Sequence, residues 1–381
     1  MNKKKKSIFI SIIGDEKRQS FTIPVLAILI GLIVGGIIIA ITGSNPFKAY
    51  YNILQGCGLA KKPSYGGKKG MITDFMEFVN YVTPMILAAL SFAVSMKAGL
   101  FNIGISGQMM AAGFISTILV GYSELNAFVA RPLVVLIGFI VGALVGGLVG
   151  YLKYQFNINE VVSTIMINYI FRYIITFFIN TYYVDPVSRQ SVLINPSARL
   201  SLLKVRVGDY KMTIPLGFIV AILAVVIIYI LMEKTKTGFE IKAVGLSRNA
   251  AKYSGINVGK NIILAMVISG GLAGLAGVTY HLGYVGSIQP NTLISTGFDS
   301  IAVSLLGNNN PFGIILSSFF ISGLDAGSTY MTSSSGVEFE IAKVISGVIL
   351  VFSACSSYIK LIVNRKRDEI VAANTVKEER S

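Results

Sequence analysis

Lys97-Ala-Gly-Leu-Phe-Asn-Ile-Gly-Ile-Ser-Gly-Gln108 follows a stretch, Phe78–Met96, that contains no Asp, Glu, Lys or Arg. It also opens a second such stretch, Ala98–Ser123. Asn102, Gly104, Ser106, Gly107 and Gln108 make it too polar and too glycine-rich for a plain lipid-facing helix. It reads as a break followed by a new helix start. Broken backbone at membrane depth is tolerated only where it lines a cavity or is buried in protein. A half-helix N-terminus there would offer free N–H groups to a polar ligand. A tight cytoplasmic turn at the membrane surface fits the same residues.

Outward from this stretch the chain is a series of similar windows. A bilayer core needs about 20 apolar residues in a helix. Gln19–Phe47, Pro132–Leu152, Met212–Met232, Asn261–Phe298 and Ser300–Leu324 are free of charge and all reach that length. Val344–Ile359 falls just short but extends past Lys343 to Ile341, and Val161–Val184 is interrupted only by Arg172. Asn308-Asn309-Asn310-Pro311 divides one window in two, giving about ten transmembrane or half-membrane helices. The composition agrees: 53% of the 381 residues are hydrophobic and 13% charged, against about 25% charged in a soluble domain. Mean hydropathy is +0.69. An ordinary cytosolic enzyme, a disordered chain, a collagen-like repeat and a disulfide scaffold are excluded. The fold class is an all-α polytopic membrane protein.

Charge sets the expected orientation. Formal net charge is +15, from 33 basic and 18 acidic residues. The first apolar run, after MNKKKKSIF, is longer than a signal peptide needs and lacks a small-x-small cleavage site, so Ile23–Ile41 reads as a retained helix. With the N-terminus inside, the inner side carries nearly twice the basic residues of the outer side, which favours N-in and C-in. The expected organisation is a basic cytoplasmic tail over 1–20, a membrane domain over 21–362 with a cytoplasmic loop at 233–260, and a charged cytoplasmic tail over 363–381. The basic residues lie between apolar runs, so they orient helices and do not point to nucleic acid. Membrane lipid is the implied surrounding.

Local signals mark helix ends and contacts. Gly138, Gly142, Gly146 and Gly150 form a smooth stripe, with shorter versions at Gly270/Gly274 and Gly31/Gly35. Such stripes let helices approach closely where lipid gives no hydrophobic driving force. Asn310 before Pro311 is a helix start, with Asn as cap and Pro in the first turn. Asp299 lies near the start of the preceding short segment, where a carboxylate can cap a helix. In the 233–260 loop, Ser247 is placed to cap a short helix over Asn249–Tyr253, stopped by Gly255.

Absences narrow the chemistry. No Gly-x-x-x-x-Gly-Lys-[Ser/Thr] loop is present, so this chain is not expected to hydrolyse ATP. No His-Glu-x-x-His, zinc spacing or cofactor motif occurs. Cys57 and Cys355 have no redox spacing, and the single histidine, His281, reads as a packing or interfacial residue.

Three stretches carry a resemblance. Ala98-Gly-Leu-Phe-Asn-Ile-Gly-Ile-Ser-Gly-Gln-Met109, Asn159-Glu-Val-Val-Ser-Thr-Ile-Met-Ile-Asn-Tyr169 and Gly297-Phe-Asp-Ser-Ile-Ala-Val-Ser-Leu-Leu-Gly-Asn-Asn-Asn-Pro-Phe-Gly313 resemble permease subunits of bacterial ABC importers. The group is the branched-chain amino acid and simple-sugar permease superfamily. Within it the likeness is to nucleoside-type permeases that work with a basic-membrane-protein lipoprotein. It runs from about Tyr81 to Ala354. Asn249-Ala-Ala-Lys-Tyr-Ser-Gly255 resembles the Glu-Ala-Ala-x-x-x-Gly loop that docks on the ATPase, with Asn in place of Glu and without the Ile-x-Leu-Pro ending. Many relatives carry an acidic residue where this chain has Ser106.

The resemblance implies a non-enzymatic pore subunit in the bacterial plasma membrane. Separate ATPase subunits, a second permease chain and an extracellular substrate-binding lipoprotein would accompany it, and the small-molecule solute it carries would be a nucleoside. Asn102, Gln108, Asn168, Tyr169 and Asp299 are the candidate pathway residues. Gly245, Arg248, Asn249, Ala250, Ala251 and Gly255 are the candidate ATPase-coupling residues. Gly104, Gly107, Asn310 and Pro311 are the candidate helix breaks. Arg189, Arg199, Lys204, Arg206 and Lys211 of the outer loop would meet acidic patches on the lipoprotein. A ribose- or galactose-type sugar permease, a self-contained secondary transporter or channel, and a membrane enzyme are the competing readings.

Overall fold

The computed structural model describes residues 16–63 and 69–355, together with 358, 361, 362, 364 and 365. Most of both expected tails, 1–15 and nearly all of 363–381, lies outside the described residues. The elements run α1 (Glu16–Ile41), α2 (Pro46–Gly56), α3 (Met71–Lys97), α4 (Ile105–Ser116), α5 (Ala127–Phe156), α6 (Glu160–Phe178). Then follow β1 (Ser201–Val207), β2 (Tyr210–Pro215), α7 (Leu216–Lys234), α8 (Lys236–Leu246) and α9 (Arg248–Tyr253). Last come α10 (Val258–Val278), α11 (Ser295–Leu306), α12 (Pro311–Ser335) and α13 (Glu340–Ala354). α4, α6 and α10 each continue into a π-helical turn, at Thr117–Gly121, Ile179–Tyr183 and Thr279–Val285.

Among the described residues, seven helices are long and apolar enough to cross a bilayer: α1, α3, α5, α6 with its π turn, α7, α10 with its π turn, and α12. Ile105–Gly121 is a shorter apolar helix, and α11 and α13 are short helices of 12 and 15 residues. α3 and α10 form the centre, with 94% and 78% of their apolar windows buried, against 44% or less for the other spans. They meet through a reciprocal bond: the Ser91 hydroxyl donates to the Ser269 carbonyl at 2.7 Å, and the Ser269 hydroxyl donates to the Ser91 carbonyl at 2.9 Å.

The glycine stripes find each other. Gly138, Gly142, Gly146 and Gly150 of α5 are buried and lie on Gly270, Gly274, Met266, Ile263 and Val278 of α10. A Cβ on Gly142 would stand 2.7 Å from the Gly274 Cα, and one on Gly146 2.8 Å from the Gly270 Cα. Gly31 and Gly35 of α1 seat Ile349 and Ile345 of α13 in the same way.

Two departures from the sequence reading concern the end of the bundle after α6. The expected outer loop contains a β-hairpin, β1 paired antiparallel with β2 and closed by Gly208-Asp209 between Val207 and Tyr210. Gly208 has φ +58°, the sign that two-residue hairpin turns demand at this position. The charge-free window that starts at Met212 therefore enters its helix only at Leu216. The long window Asn261–Phe298 is not one helix and a tail: α10 with its π turn ends at Val285 and α11 begins at Ser295, with Gly286–Ile294 non-helical between them.

Candidate functional site

The break after α3 is built from its polar residues. α3 ends at Lys97, and Gly99 turns the chain at φ +68° with its Cα side pressed on Gly245 of α8. Leu100–Gly104 then runs without helix until α4 begins at Ile105. The Asn102 side chain accepts from the Gly104 N–H at 3.0 Å and donates to Gln108 Oε1 at 3.1 Å and Ser269 Oγ at 2.9 Å. Asn168 of α6 accepts from the Gly107 N–H at 2.7 Å and donates to the Ile103 carbonyl at 3.0 Å. Both asparagines and Gln108 are buried. A surface turn at Gly99 and a break buried in protein are thus both present, a few residues apart.

Glycine is required at two of these contacts. A Cβ on Gly107 would sit 2.8 Å from the Asn168 Cα, and one on Gly104 3.0 Å from the Thr164 Cβ. Ser106 donates to the Ile294 carbonyl at 2.7 Å, which ties the start of α4 to the start of α11. Gly297 of α11 lies directly on Ser106.

The five candidate pathway residues separate in space. Asn102, Gln108 and Asn168 spend their hydrogen bonds on the break itself. Tyr169 is exposed on the outside of α6. Asp299 is the fifth residue of α11, whose N-cap is Ile294 with no side-chain cap bond. The expectation that Asp299 caps this helix is therefore corrected. Asp299 is instead exposed on the helix flank, near enough to Asp325 and Lys343 to feel both charges.

Asp325 and Lys343, but not Asp299, line a cleft of about 800 Å³, within the range of small-molecule sites. α3 contributes Asn80 and Tyr81, the π turn of α10 Tyr284, α12 Asp325 and α13 Lys343. The Tyr81 hydroxyl donates to the Asp325 carboxylate. The Tyr81 and Tyr284 rings meet edge to face at 5.1 Å, and Asn80 donates to the Gly283 carbonyl at 3.3 Å. Lys62 pairs with Asp74 at 2.6 Å and lies 4.8 Å from the Tyr330 ring centre. The cleft thus offers aromatic surface beside a carboxylate that can accept from hydroxyl groups. Sequence reasoning missed Tyr81 and Tyr284, which lie in apolar runs with no spacing to mark them. Asp325 carried a signal, a carboxylate at the end of a charge-free window.

Asn310 accepts from the N–H groups of Phe312 and Gly313 at 3.0 and 3.3 Å, with Pro311 in the first turn. This start of α12 lies beside Lys97 and Glu233, at the same end of the bundle as α8 and α9. There Ser247 caps α9 through the Ala250 N–H at 3.3 Å, and Gly255 follows at φ +78°. Arg248, Asn249 and Ala250 are exposed, as are Leu246 and Tyr253. Ala251 is buried and anchors the short helix, and Gly245 packs under the end of α3.

At the opposite end the hairpin exposes Lys204, Arg206 and Lys211, with Arg189 exposed nearby. Arg199 is folded back under Gly286, and burial lowers the pKa of its guanidinium. The Val187 N–H and the Ser188 hydroxyl hold the Asp185 carboxyl below its usual range. His281 is buried with Nδ1 3.2 Å from the Ser287 carbonyl. Cys57 is buried and Cys355 exposed, both free. Among the described residues no cluster of three His, Cys, Asp or Glu could hold a metal.

Comparison with known proteins places this architecture. The chain is similar to the nucleoside ABC transporter permease protein NupB of Lactococcus lactis, 36% identical over 361 residues, covering 93% of this chain and 96% of that one. It is 33% identical over 345 residues to the guanosine ABC transporter permease protein NupP of Bacillus subtilis, covering 90% and 95%. It is 26% identical over 345 residues to the glucose ABC transporter permease protein TsgB13 of Haloferax volcanii, covering 88% of each. No solved structure matches it. Residues 75–354 match the permease component of the branched-chain amino acid transport system, and with membrane helices through that whole range the chain belongs to this family of multi-pass membrane permeases.

Proposed function

We propose that this chain is the nucleoside-carrying permease subunit of an ATP-driven importer in the bacterial plasma membrane. The observation that carries the reading is near full-length similarity to NupB and NupP, whose names give nucleoside and guanosine as cargo. The cleft supports it chemically. Tyr81 and Tyr284 supply apolar ring surface for a base, and Asp325 and Asn80 supply polar groups for a ribose. Asn102, Gln108 and Asn168 act one layer behind, by fixing the backbone on which the pathway is built.

The partners follow from the two ends. ATPase subunits dock on the exposed Arg248, Asn249 and Ala250 face of α9 and on its neighbours Leu246 and Tyr253. A lipoprotein that delivers solute docks on the hairpin end through Lys204, Arg206, Lys211 and Arg189. A second permease chain completes the pathway. Residues 1–20 and 363–381 are cytoplasmic tails, 21–362 is the membrane domain, and 233–260 is the coupling loop.

The test is reconstitution of the co-purified complex in proteoliposomes with labelled guanosine, ribose or glucose. ATP-dependent guanosine uptake supports the reading. Uptake of the sugar alone assigns the chain to sugar import, to which the likeness to TsgB13 is the pointer. Uptake by this chain alone, without ATP, replaces the importer with a secondary transporter.

A further inference from the structure

The outward faces of the spanning helices are not alike. Exposed residues of α1 are Val25, Leu29, Ile33, Ile37, Ala40 and Ile41. Those of α5 between Pro132 and Gly150 are Pro132, Leu136, Phe139, Ile140, Leu144 and Leu148, and those of α7 before its charged end at Glu233-Lys234 are Ile219, Leu223, Val226, Ile227 and Ile230. These faces suit acyl chains. α6 differs: among Met166, Ile170, Ile174 and Phe177 it exposes Tyr169 and Tyr173, with Arg172 half-buried at the edge. No hydrogen-bond partner of either tyrosine hydroxyl occurs among the described residues.

Arg172 donates to Asn291 Oδ1 at 3.1 Å from Nε and 2.7 Å from Nη2. It lies 5.5 Å from the Tyr173 ring centre. No carboxylate pairs with it among the described residues. Its bonds fix the non-helical run Gly286–Ile294, since Asn291, at φ +58°, also donates its N–H to Thr176 Oγ1 at 2.8 Å. A guanidinium is a cation in proteins, and the bonding partner of this one is a neutral amide.

Depth decides what can answer that charge. The span runs Glu160–Tyr183, so Arg172 is about 18 Å from one end and about 17 Å from the other at 1.5 Å per residue. That is the middle of a hydrocarbon core about 30 Å thick, where ionisable groups turn inward, pair, or line a pathway. Lipid phosphates lie at the core's edges, far from both tyrosine hydroxyls. Met166, Ile170, Ile174 and Phe177 keep this face largely apolar, and its polar border is the run that carries Asn291. A face mixing large apolar residues, two tyrosines and one arginine has the composition of a protein interface.

We infer that the α6 face around Tyr169, Arg172 and Tyr173 is where a second, different permease chain packs, and that this partner presents a carboxylate to Arg172 at mid-membrane depth. A different chain fits this face because the exposed residues of α6 around Arg172 include no anion. A second copy set α6 against α6 would oppose two guanidiniums. The inference rests on the importer reading, in which a second permease completes the pathway.

The experiment is photo-crosslinking in native membranes of cells that express the whole complex. A benzophenone amino acid replaces Tyr169 or Tyr173, with Leu144 and Leu223 as lipid-facing controls, and adducts are identified by mass spectrometry. The expected result is an adduct with another polytopic permease at both α6 positions and none at the controls. Arg172→Glu in the full chain is then expected to lower co-purification of that permease about 30-fold, the low end for breaking a desolvated interfacial charge pair. Size-exclusion of the variant chain verifies folding, and Arg172→Lys restores part of the loss. Lipid adducts alone at Tyr169 and Tyr173 overturn the interface while leaving the importer standing. An adduct with a second copy of this chain overturns the assignment to a different partner. A chain that captures neither an ATPase nor a second permease overturns the importer reading beneath it.

Discussion

Asn102→Ala separates a residue that builds the pathway from one that touches the cargo. The substitution removes four hydrogen bonds: those to the Gly104 N–H, Gln108 Oε1 and Ser269 Oγ, and a long one of 3.5 Å from Gln108 Nε2. Ser269 keeps its exchange with Ser91, so little is lost there. The Gly104 N–H loses its partner at a position buried against Thr164. An orphaned buried donor costs about 1–3 kcal/mol, and each remaining bond contributes about 1 kcal/mol. The sum is about 2–4 kcal/mol, and at roughly 2–4 °C per kcal/mol for larger domains the apparent Tm in detergent falls by about 5–15 °C. Thermal unfolding followed by fluorescence size-exclusion reads this directly. In proteoliposomes the surviving complex is expected to show reduced uptake at every guanosine concentration with an unchanged half-saturation. An unchanged Tm with a raised half-saturation would refute the reasoning and return Asn102 to the wall of the pathway.

Other expected outcomes follow from the same contacts. Tyr81→Phe removes one hydrogen bond to Asp325 and is expected to leave folding intact while raising the guanosine half-saturation, read in uptake assays. Gly142→Leu drives a side chain into the Gly270–Gly274 backbone and is expected to abolish monodisperse protein, seen as aggregate on size-exclusion. Ser247→Ala removes the α9 cap, worth about 1 kcal/mol, and is expected to reduce recovered ATPase without changing the chain's own Tm. Reversing Lys204, Arg206 and Lys211 to Glu is expected to weaken lipoprotein binding most at low salt, with added salt partly restoring it instead of weakening it further.

The membrane architecture was legible because charge is excluded from bilayer-spanning segments, and windows such as Pro132–Leu152 stand out in the bare sequence. Helix starts at Asn310-Pro311 and Ser247 were legible for a local reason: the cap and the N–H groups it serves are two or three residues apart. The partner of the α5 glycine stripe was not, since spacing shows a smooth face and never what lies on it. The non-helical run after α10 hides inside a charge-free window, although Gly286, Pro290 and Asn291 signal it to a reader who weighs helix breakers within apolar runs. The cleft was the least legible. Tyr81, Tyr284, Asp325 and Lys343 come from four segments, and only the packing brings them together. The polar residues that the sequence made conspicuous, Asn102, Gln108 and Asn168, are conspicuous because a bent backbone inside a bilayer needs internal partners, and that need is met before any solute arrives.

The junction of Gly99 with Gly245 has a mechanical consequence. Because neither residue has a side chain, the end of α3 rests on α8 backbone to backbone, a contact with no soft rotamers to absorb a push. From Lys97 to Tyr81 is about 24 Å of helix at 1.5 Å per residue, stiff along its axis. Three residues short of Tyr81 stands Pro84, which removes one rung of the hydrogen-bond ladder and lets the helix flex there. α3 is therefore a connecting rod with a single joint. A push at the short-helix end would travel along α3 toward the cleft, and the joint is where it would tilt the turn that carries Asn80 and Tyr81.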